Sequence, residues 1–196
     1  MEIVFIRHGE SEGNALKGAD QVYTGQWDCD LTDRGRMQAA ALKNDPVLAD
    51  VDRYFVSDLK RARSTAHEIT EQEPVIDSRL RERSLGDFEG RKIEDIRNSP
   101  EYAKYFSDAG LMTFRHSFTA KAPGGENYSD VCRRVRSFLR DLSKSGYNKV
   151  VIVAHFISIR CLIKETSGLS EEETLAYPVP NCSPIRVVWD GHVSKD

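Results

Sequence analysis

The sequence is poor in cysteine, contains no long apolar run and lacks a strong excess of either charge, and each shortage excludes a class of protein. Its four cysteines lie far apart and form no C-x-x-C pair: Cys29, Cys132, Cys161 and Cys182. We therefore expect free thiols in a reducing compartment rather than a zinc cluster or a disulfide framework. The five histidines lack metal-binding spacings such as H-E-x-x-H, so we predict neither a metal nor another cofactor.

The charge balance argues against polyanionic and membrane partners. With 28 Lys and Arg against 31 Asp and Glu, the net charge is -3, and no overall positive field attracts nucleic acid or anionic lipid. No apolar run approaches the roughly 20 residues of a membrane span, and the polar residues Glu2, Arg7 and His8 exclude a signal-peptide core. We therefore expect a cytoplasmic protein with no nucleic-acid or membrane partner, in which a few side chains hold any anion locally.

The remaining pattern is that of an α/β protein. Its 196 residues, 39% of them hydrophobic, suit one globular domain with a sizeable core. Short apolar runs predict strands at 2–6, 54–57, 149–154 and 184–189. Helical patterns lie between them at 32–44, 59–71 and 129–144. This alternation predicts a mainly parallel sheet between helix layers.

One segment, about 93–125, breaks the alternation. It is rich in aromatic residues and ends in Pro123-Gly124-Gly125. We interpret it as a small cap inserted into a single domain that spans residues 1–196. A surface excursion packed by its own aromatic side chains explains the same composition as well.

Basic side chains follow three of the predicted strands. Arg7 and His8 follow the first strand, Arg61 comes soon after the second, and His155 follows the third. The carboxyl ends of parallel strands form one edge of the sheet, where ligands bind. Guanidinium and imidazole groups gathered there suit a phosphate. Considered alone, each residue also fits a purely structural role. Arg61 fits a solvent-exposed residue at the start of a helix, and His155 fits a buried histidine of the core.

The string FIRHGESEGN, residues 5–14, resembles the signature of the histidine phosphatase superfamily, which includes cofactor-dependent phosphoglycerate mutases and many small phosphatases. The resemblance continues in the expected order through YTGQWDCDLTDRG, VSDLKRARSTA, LRERSLGDFEG, GGENYSDVCRRV and VVIVAHFISIR. It covers most of the chain and implies the three-layer α/β/α fold of the phosphoglycerate mutase-like proteins.

The resemblance also implies roles for individual residues. It implies that His8 is the nucleophile that takes up the phosphoryl group and that Glu82 is the proton donor, although Glu89 and Glu126 are rival acids. It implies a phosphate clamp made of Arg7, Arg61 and His155. Substrate contacts are expected from Asn14, Thr24, Gly25 and Phe156.

These roles make chemical sense. A neutral imidazole is a good nucleophile at pH 7, and fixed cations stabilise the charge on a phosphoryl group in transfer. The leaving alkoxide needs a proton, which a carboxylic acid can supply. The resemblance therefore implies phosphoryl transfer to and from a histidine.

The details favour hydrolysis over isomerisation. Phe156 stands where relatives usually have glycine, and we expect its ring to crowd the phosphate in a mutase-type pocket. The segment RSLGDFEGRK, residues 83–92, and the short insertion also resemble the phosphatase branch. We predict a metal-independent, histidine acid-type phosphatase that hydrolyses a small-molecule phosphate ester through a phosphohistidine.

Two alternatives remain open. The first is a phosphoglycerate mutase that uses the same intermediate. The second is a non-catalytic protein that binds a phosphorylated ligand. The joint presence of all five candidate catalytic residues argues against the second alternative, because a dead enzyme would typically have lost one of them.

Overall fold

A computed structural model describes residues 1–193 and contains a five-stranded sheet with helices on both faces. The strands are β1 (Glu2–Arg7), β2 (Arg53–Val56), β3 (Val75–Ile76), β4 (Lys149–Ala154) and β5 (Ile185–Val188). Their order across the sheet is β3-β2-β4-β1-β5. All neighbouring strands are parallel except β5, which runs antiparallel to β1. The prediction of a mainly parallel α/β sheet is confirmed.

Seven α-helices are described between and beside these strands. They are α1 (Glu12–Ala15), α2 (Asp33–Ala40), α3 (Lys60–Ile69), α4 (Ile93–Asn98), α5 (Tyr128–Leu142), α6 (Phe156–Ser167) and α7 (Glu171–Ala176). Short 3-10 turns occur at Gly18–Asp20, Pro46–Leu48, Ser78–Leu80, Gly86–Phe88 and Pro100–Tyr105. Side chains cap several of the helices: Thr32 accepts a hydrogen bond from the backbone of α2, and Asn127 accepts one from that of α5.

The apolar strands are buried on both faces, which makes the fold three-layered. Along β1, Ile3 and Phe5 belong to the core beneath α5 and α6. Their neighbours Val4 and Ile6 belong to the core beneath α2 and α3. Successive strand side chains point to opposite faces, so a continuous apolar run serves both helix layers. The implied α/β/α architecture is confirmed.

The helix α6 and the strand β3 are absent from the sequence prediction. Almost every side chain of α6 from Ile157 to Ile163 is buried, so its sequence lacks the one-sided apolar pattern of a surface helix. The strand β3 has only two residues, too few to produce a recognisable alternation. The helix predicted at 32–44 ends at Ala40 and continues as turns.

The segment predicted as a cap, 93–125, packs through its aromatic residues on rings from outside it. Phe88 contacts the rings of Tyr102 and Tyr105 edge-on at centroid distances of 5.0 and 5.6 Å. Phe114 and Tyr23 complete this cluster. The segment therefore rests on the loops that follow β1 and β3, beside the carboxyl edge of the sheet.

Among residues 1–193, every helix is too short or too polar to cross a lipid bilayer. The described part of the chain also contains no group of three His, Cys, Asp or Glu side chains placed to hold a metal ion.

Candidate active site

The carboxyl ends of β1, β2 and β4 lie side by side and bring the residues after them together. Arg7 pairs with Ala154, and Val56 pairs with Val153. The residue that follows each strand therefore lies at the same edge of the sheet. As a result, the rings of His8 and His155 lie 5.1 Å apart between centroids, although the two residues are far apart in sequence.

A cavity of about 410 Å³ opens at this edge. Seven of the nine predicted site residues line it: Arg7, His8, Asn14, Thr24, Gly25, Arg61 and Glu82. His155 and Phe156 lie outside its wall. The structure thus brings together residues from the loop after β1, the segment before α2, the start of α3 and the loop after β3.

His8 is held as a neutral imidazole with one nitrogen available. It is only 4% exposed, and its Nδ1 lies 2.7 Å from the carbonyl oxygen of Gly9. Because a carbonyl can only accept, Nδ1 carries the proton and Nε2 keeps its lone pair. Burial, followed by the charges of Arg61 and Arg7, lowers the pKa of His8 well below its usual value.

The backbone around His8 is fixed by close packing. A Cβ on Gly9 would lie 2.3 Å from the carbonyl oxygen of Gly35 in α2, so this contact requires glycine. The backbone N–H of Gly9 donates to Thr65 Oγ1 at 3.0 Å. The His8 carbonyl accepts from Asn181 Nδ2 at 2.6 Å. The nucleophile candidate is therefore positioned by residues from α2, α3 and the segment before β5.

Arg61 is a buried cation whose charge no carboxylate neutralises among the described residues. It is 1% exposed, and its Nη1 and Nη2 each donate at 2.8 Å, to the carbonyls of Trp27 and Gly25. Gly25 has a φ of 44°, a left-handed conformation that favours glycine. The Nε of Arg61 is buried without a hydrogen-bond partner within residues 1–193.

Arg7 is placed in a similar way. Its Nη1 donates to the carbonyl of Val179 at 2.9 Å, and its Nε is buried without a partner in the described chain. The backbone carbonyl of Arg7 accepts from Cys182 N at 2.9 Å. Two guanidinium groups with no described ion pair therefore face one cavity, which suits an anion.

His155 lies behind His8 rather than on the cavity wall. It is fully buried, and its Nε2 lies 2.8 Å from Ser57 Oγ. Its Nδ1 is buried and has no partner within residues 1–193. Burial and then the charge of Arg61 lower the pKa of His155 well below its usual value. A second neutral imidazole therefore lies beside that of His8.

Glu82 is the one carboxylate among the described residues that line the cavity. Its Oε1 accepts from the backbone N–H of Arg83 at 2.6 Å, and its Oε2 accepts from that of Ile157 at 3.2 Å. The second donor belongs to the first turn of α6. The side chain is thus held at the wall by backbone groups on both sides.

The rival acids are engaged elsewhere. Glu89 accepts hydrogen bonds from the backbone N–H groups of Gln26 and Leu85 at 3.0 and 2.8 Å. Glu126 forms an ion pair with Arg134 at 2.9 Å. Neither of these carboxylates lines the cavity.

Phe156 departs from the expectation. Its ring does not reach the cavity wall, because it packs against two guanidinium groups. The Cζ of Arg7 lies 5.0 Å from the ring centroid, and the Cζ of Arg160 lies 4.0 Å from it. The ring therefore lies behind Arg7 instead of crowding a phosphate beside it.

Sequence reasoning missed four further cations on the cavity wall: Lys17, Arg83, Arg97 and Arg115. Arg83 is buried and donates to the carbonyl of Phe114 at 2.9 Å, which ties the predicted cap to the site. Arg97 and Arg115 belong to that cap and are exposed. Their only signal in the sequence was their place in the segment that broke the α/β pattern.

The buried, neutral histidines predict a loss of stability in acid. The unfolded chain takes up a proton on each histidine near pH 6.5, whereas folded His8 and His155 resist protonation. The free energy of unfolding should therefore fall as the pH drops below about 6.5, by about 1.4 kcal/mol per pH unit for each such histidine.

Urea unfolding between about pH 7 and pH 5.5 measures this slope. The variant His8→Gln removes one of the two histidines. It should reduce the slope by about 1.4 kcal/mol per pH unit, the contribution of one proton, while the carboxylates titrate as before. Identical slopes for the variant and the unmodified protein would show that His8 takes up its proton normally in the folded state.

Comparisons with known proteins agree with this geometry. The family model described as histidine phosphatase superfamily (branch 1) matches residues 3–195. Phosphoserine phosphatase 1 of Hydrogenobacter thermophilus is 28% identical, covering 93% of this chain and 84% of its own. The 2,3-bisphosphoglycerate-dependent phosphoglycerate mutase of Bartonella bacilliformis is 31% identical, covering 93% and 89%. The structure of a mycobacterial glucosyl-3-phosphoglycerate phosphatase superposes with a TM-score of 0.78 at 27% identity, covering 94% and 88%.

Proposed function

The chain belongs to the histidine phosphatase superfamily, and we propose that it is a metal-independent, histidine acid-type phosphatase that hydrolyses a small phosphate monoester. One observation carries the proposal. A single cavity joins a neutral imidazole with a free Nε2 to the carboxyl group of Glu82 and to two arginines, Arg7 and Arg61, that form no ion pair within residues 1–193. A nucleophile, an anion clamp and a proton donor are the three parts that phosphoryl transfer through a histidine needs.

In the first step, Nε2 of His8 attacks the phosphorus and the ester P–O bond breaks. Glu82 gives its proton to the departing oxygen, so the product leaves as an alcohol. Arg7 and Arg61 donate to the equatorial oxygens, where charge develops in the transition state. The hydrogen bond from Nδ1 to the Gly9 carbonyl stabilises the positive charge that the imidazole acquires.

In the second step, a water molecule attacks the phosphohistidine and the P–N bond breaks. Glu82, now a carboxylate, takes a proton from that water, and inorganic phosphate is released. The exposed side chains of Arg97 and Arg115 form the outer wall of the cavity, so its outer part is open to water. This access supports hydrolysis.

The outer part of the cavity supports an ester with a second anionic group. Lys17, Arg97 and Arg115 add three cations beyond those around His8. The hydroxyl of Tyr23, a residue that also lines the cavity, is buried without a partner within residues 1–193. A carboxylate or a second phosphate on the substrate would satisfy these donors.

A phosphoglycerate mutase is the second candidate, because the same first step begins its reaction and a mutase is among the relatives. A mutase must keep water from the phosphohistidine while its substrate turns over. The predicted cap is short. The expected crowding by Phe156 no longer contributes to the argument, since its ring lies behind Arg7.

The experiment compares phosphate release with interconversion of 3-phosphoglycerate and 2-phosphoglycerate, with 2,3-bisphosphoglycerate supplied as primer. We expect net release to exceed interconversion in the same preparation. A panel that pairs phosphoserine with phosphoethanolamine also tests the second anionic group, and we expect the acid to be the better substrate. A His8→Ala preparation serves as the control for contaminating phosphatases.

Interconversion faster than release by about tenfold, or about 1.4 kcal/mol in barrier, would make the protein a mutase. Binding of the esters without turnover of any, including an aryl phosphate, would indicate the non-catalytic alternative.

A further inference from the structure

The ring of Phe156 shares its faces with two cations that have no carboxylate partner among the described residues. The guanidinium carbons of Arg160 and Arg7 lie over it at 4.0 and 5.0 Å from the centroid. Arg160 is 6% exposed and donates to the carbonyl of Tyr177 at 2.7 Å and to the hydroxyl of Tyr128 at 3.2 Å. Among the described residues, two neutral oxygens and the Phe156 ring therefore hold this buried charge.

Arg7 has few other restraints. One nitrogen donates to the carbonyl of Val179, and its Nε has no partner in the described chain. Burial lowers the pKa of Arg7, and the charge of Glu82 acts against this while those of Arg61 and Arg160 add to it. An aromatic face offers negative potential to a guanidinium without competing for its donors. The ring can therefore fix Arg7 and leave its N–H groups to an anion, which a carboxylate partner could not do.

We propose that Phe156 is a positioning residue, which holds the Arg7 guanidinium in the orientation that binds a phosphate group. The proposal rests on the proposed function only in taking the Arg7 ligand to be a phosphate. Phe156 itself touches no substrate.

The probe is inorganic phosphate, measured by calorimetry and as a competitive inhibitor of the hydrolysis of para-nitrophenyl phosphate. Phe156→Leu keeps the apolar volume but removes the aromatic face. We expect phosphate affinity to fall about three- to thirtyfold, the range for loss of one cation–π contact. KM should rise by a similar factor, and Phe156→Tyr should restore both values to within about twofold.

Phe138→Leu is the matched control. Its ring also carries an arginine, Arg79, at 5.6 Å from the centroid, but it lies in the core beneath α5, away from the cavity. We expect it to lower the melting temperature without changing phosphate affinity. The two leucine variants thus separate positioning from general loss of packing.

The proposal would be overturned if Phe156→Leu or Phe156→Gly bound phosphate as tightly as the unmodified protein does. Failure of the unmodified protein to bind phosphate would also overturn it, since Arg7 would then have no such ligand. A protein that binds phosphate but hydrolyses no ester would contradict the proposed function instead, while the calorimetric comparison would still decide the role of Phe156.

Discussion

Replacing His8 with alanine is expected to reduce turnover by about 10⁴-fold or more. No other described side chain at the cavity places a nitrogen with a free lone pair where His8 does. The imidazole Nε2 would form the bond to phosphorus, and removal of the nucleophile removes both steps of the reaction. His8 lies in the loop after β1 rather than within a strand or helix. Far-ultraviolet circular dichroism should therefore show an unchanged fold.

The intermediate provides a direct measurement. Enzyme quenched during turnover of a radiolabelled ester should carry phosphate that is labile in acid and stable in alkali, as a phosphoramidate is. The variant His8→Ala should carry none. His67→Ala is the matched control, since His67 is exposed on α3 and lies outside the cavity. Near-normal turnover in His8→Ala, or label that resists acid, would contradict the mechanism.

Replacing Glu82 with glutamine is expected to depend on the leaving group. An alkyl phosphate needs a proton at its departing oxygen, so its turnover should fall by about 10²–10⁴-fold. Para-nitrophenolate leaves without a proton and should be affected less during phosphorylation of the enzyme. Glutamine keeps the size of the side chain, and its single oxygen accepts from one of the two backbone N–H groups that donate to Glu82, those of Arg83 and Ile157.

Pre-steady-state phosphate-ester cleavage, measured for both substrates, isolates the phosphorylation step. The controls are Glu89→Gln and Glu126→Gln, which replace carboxyl groups outside the cavity. Turnover by these two variants should show no such dependence on the leaving group. Equal losses for the two substrates in Glu82→Gln would indicate that another group donates the proton. A selective loss in either control would identify that group.

The sequence predicted those site residues that directly follow a strand. Short apolar runs located β1, β2 and β4, and the parallel arrangement then placed Arg7, His8 and His155 at one edge. Choosing Glu82 over Glu89 and Glu126 rested on family resemblance, because local sequence does not show which carboxyl group reaches the site. Only the folded loops show that Glu82 alone of the three reaches the cavity.

The outer wall could not be derived from local patterns. Arg97 and Arg115 line the cavity because the segment 93–125 packs on Phe88 through its aromatic residues, a contact between distant parts of the chain. The family resemblance led us to expect Phe156, the residue after the second histidine of the site, beside the phosphate. The first turn of α6 instead directs its ring toward Arg160, one turn further along the same helix.

The segment from Tyr177 to Cys182 has a consequence for biosynthesis. It supplies the carbonyl that holds Arg7, the amide that holds the His8 backbone, and a backbone donor to Arg7. The strand β1 is translated first, yet its two neighbours in the sheet, β4 and β5, begin at Lys149 and Ile185. During synthesis, β1 therefore stays unpaired until β4 has been made, and His8 lacks its supports until the segment from Tyr177 to Cys182 has followed. We therefore expect the candidate site to assemble only after that segment has been made, as β5 completes the sheet.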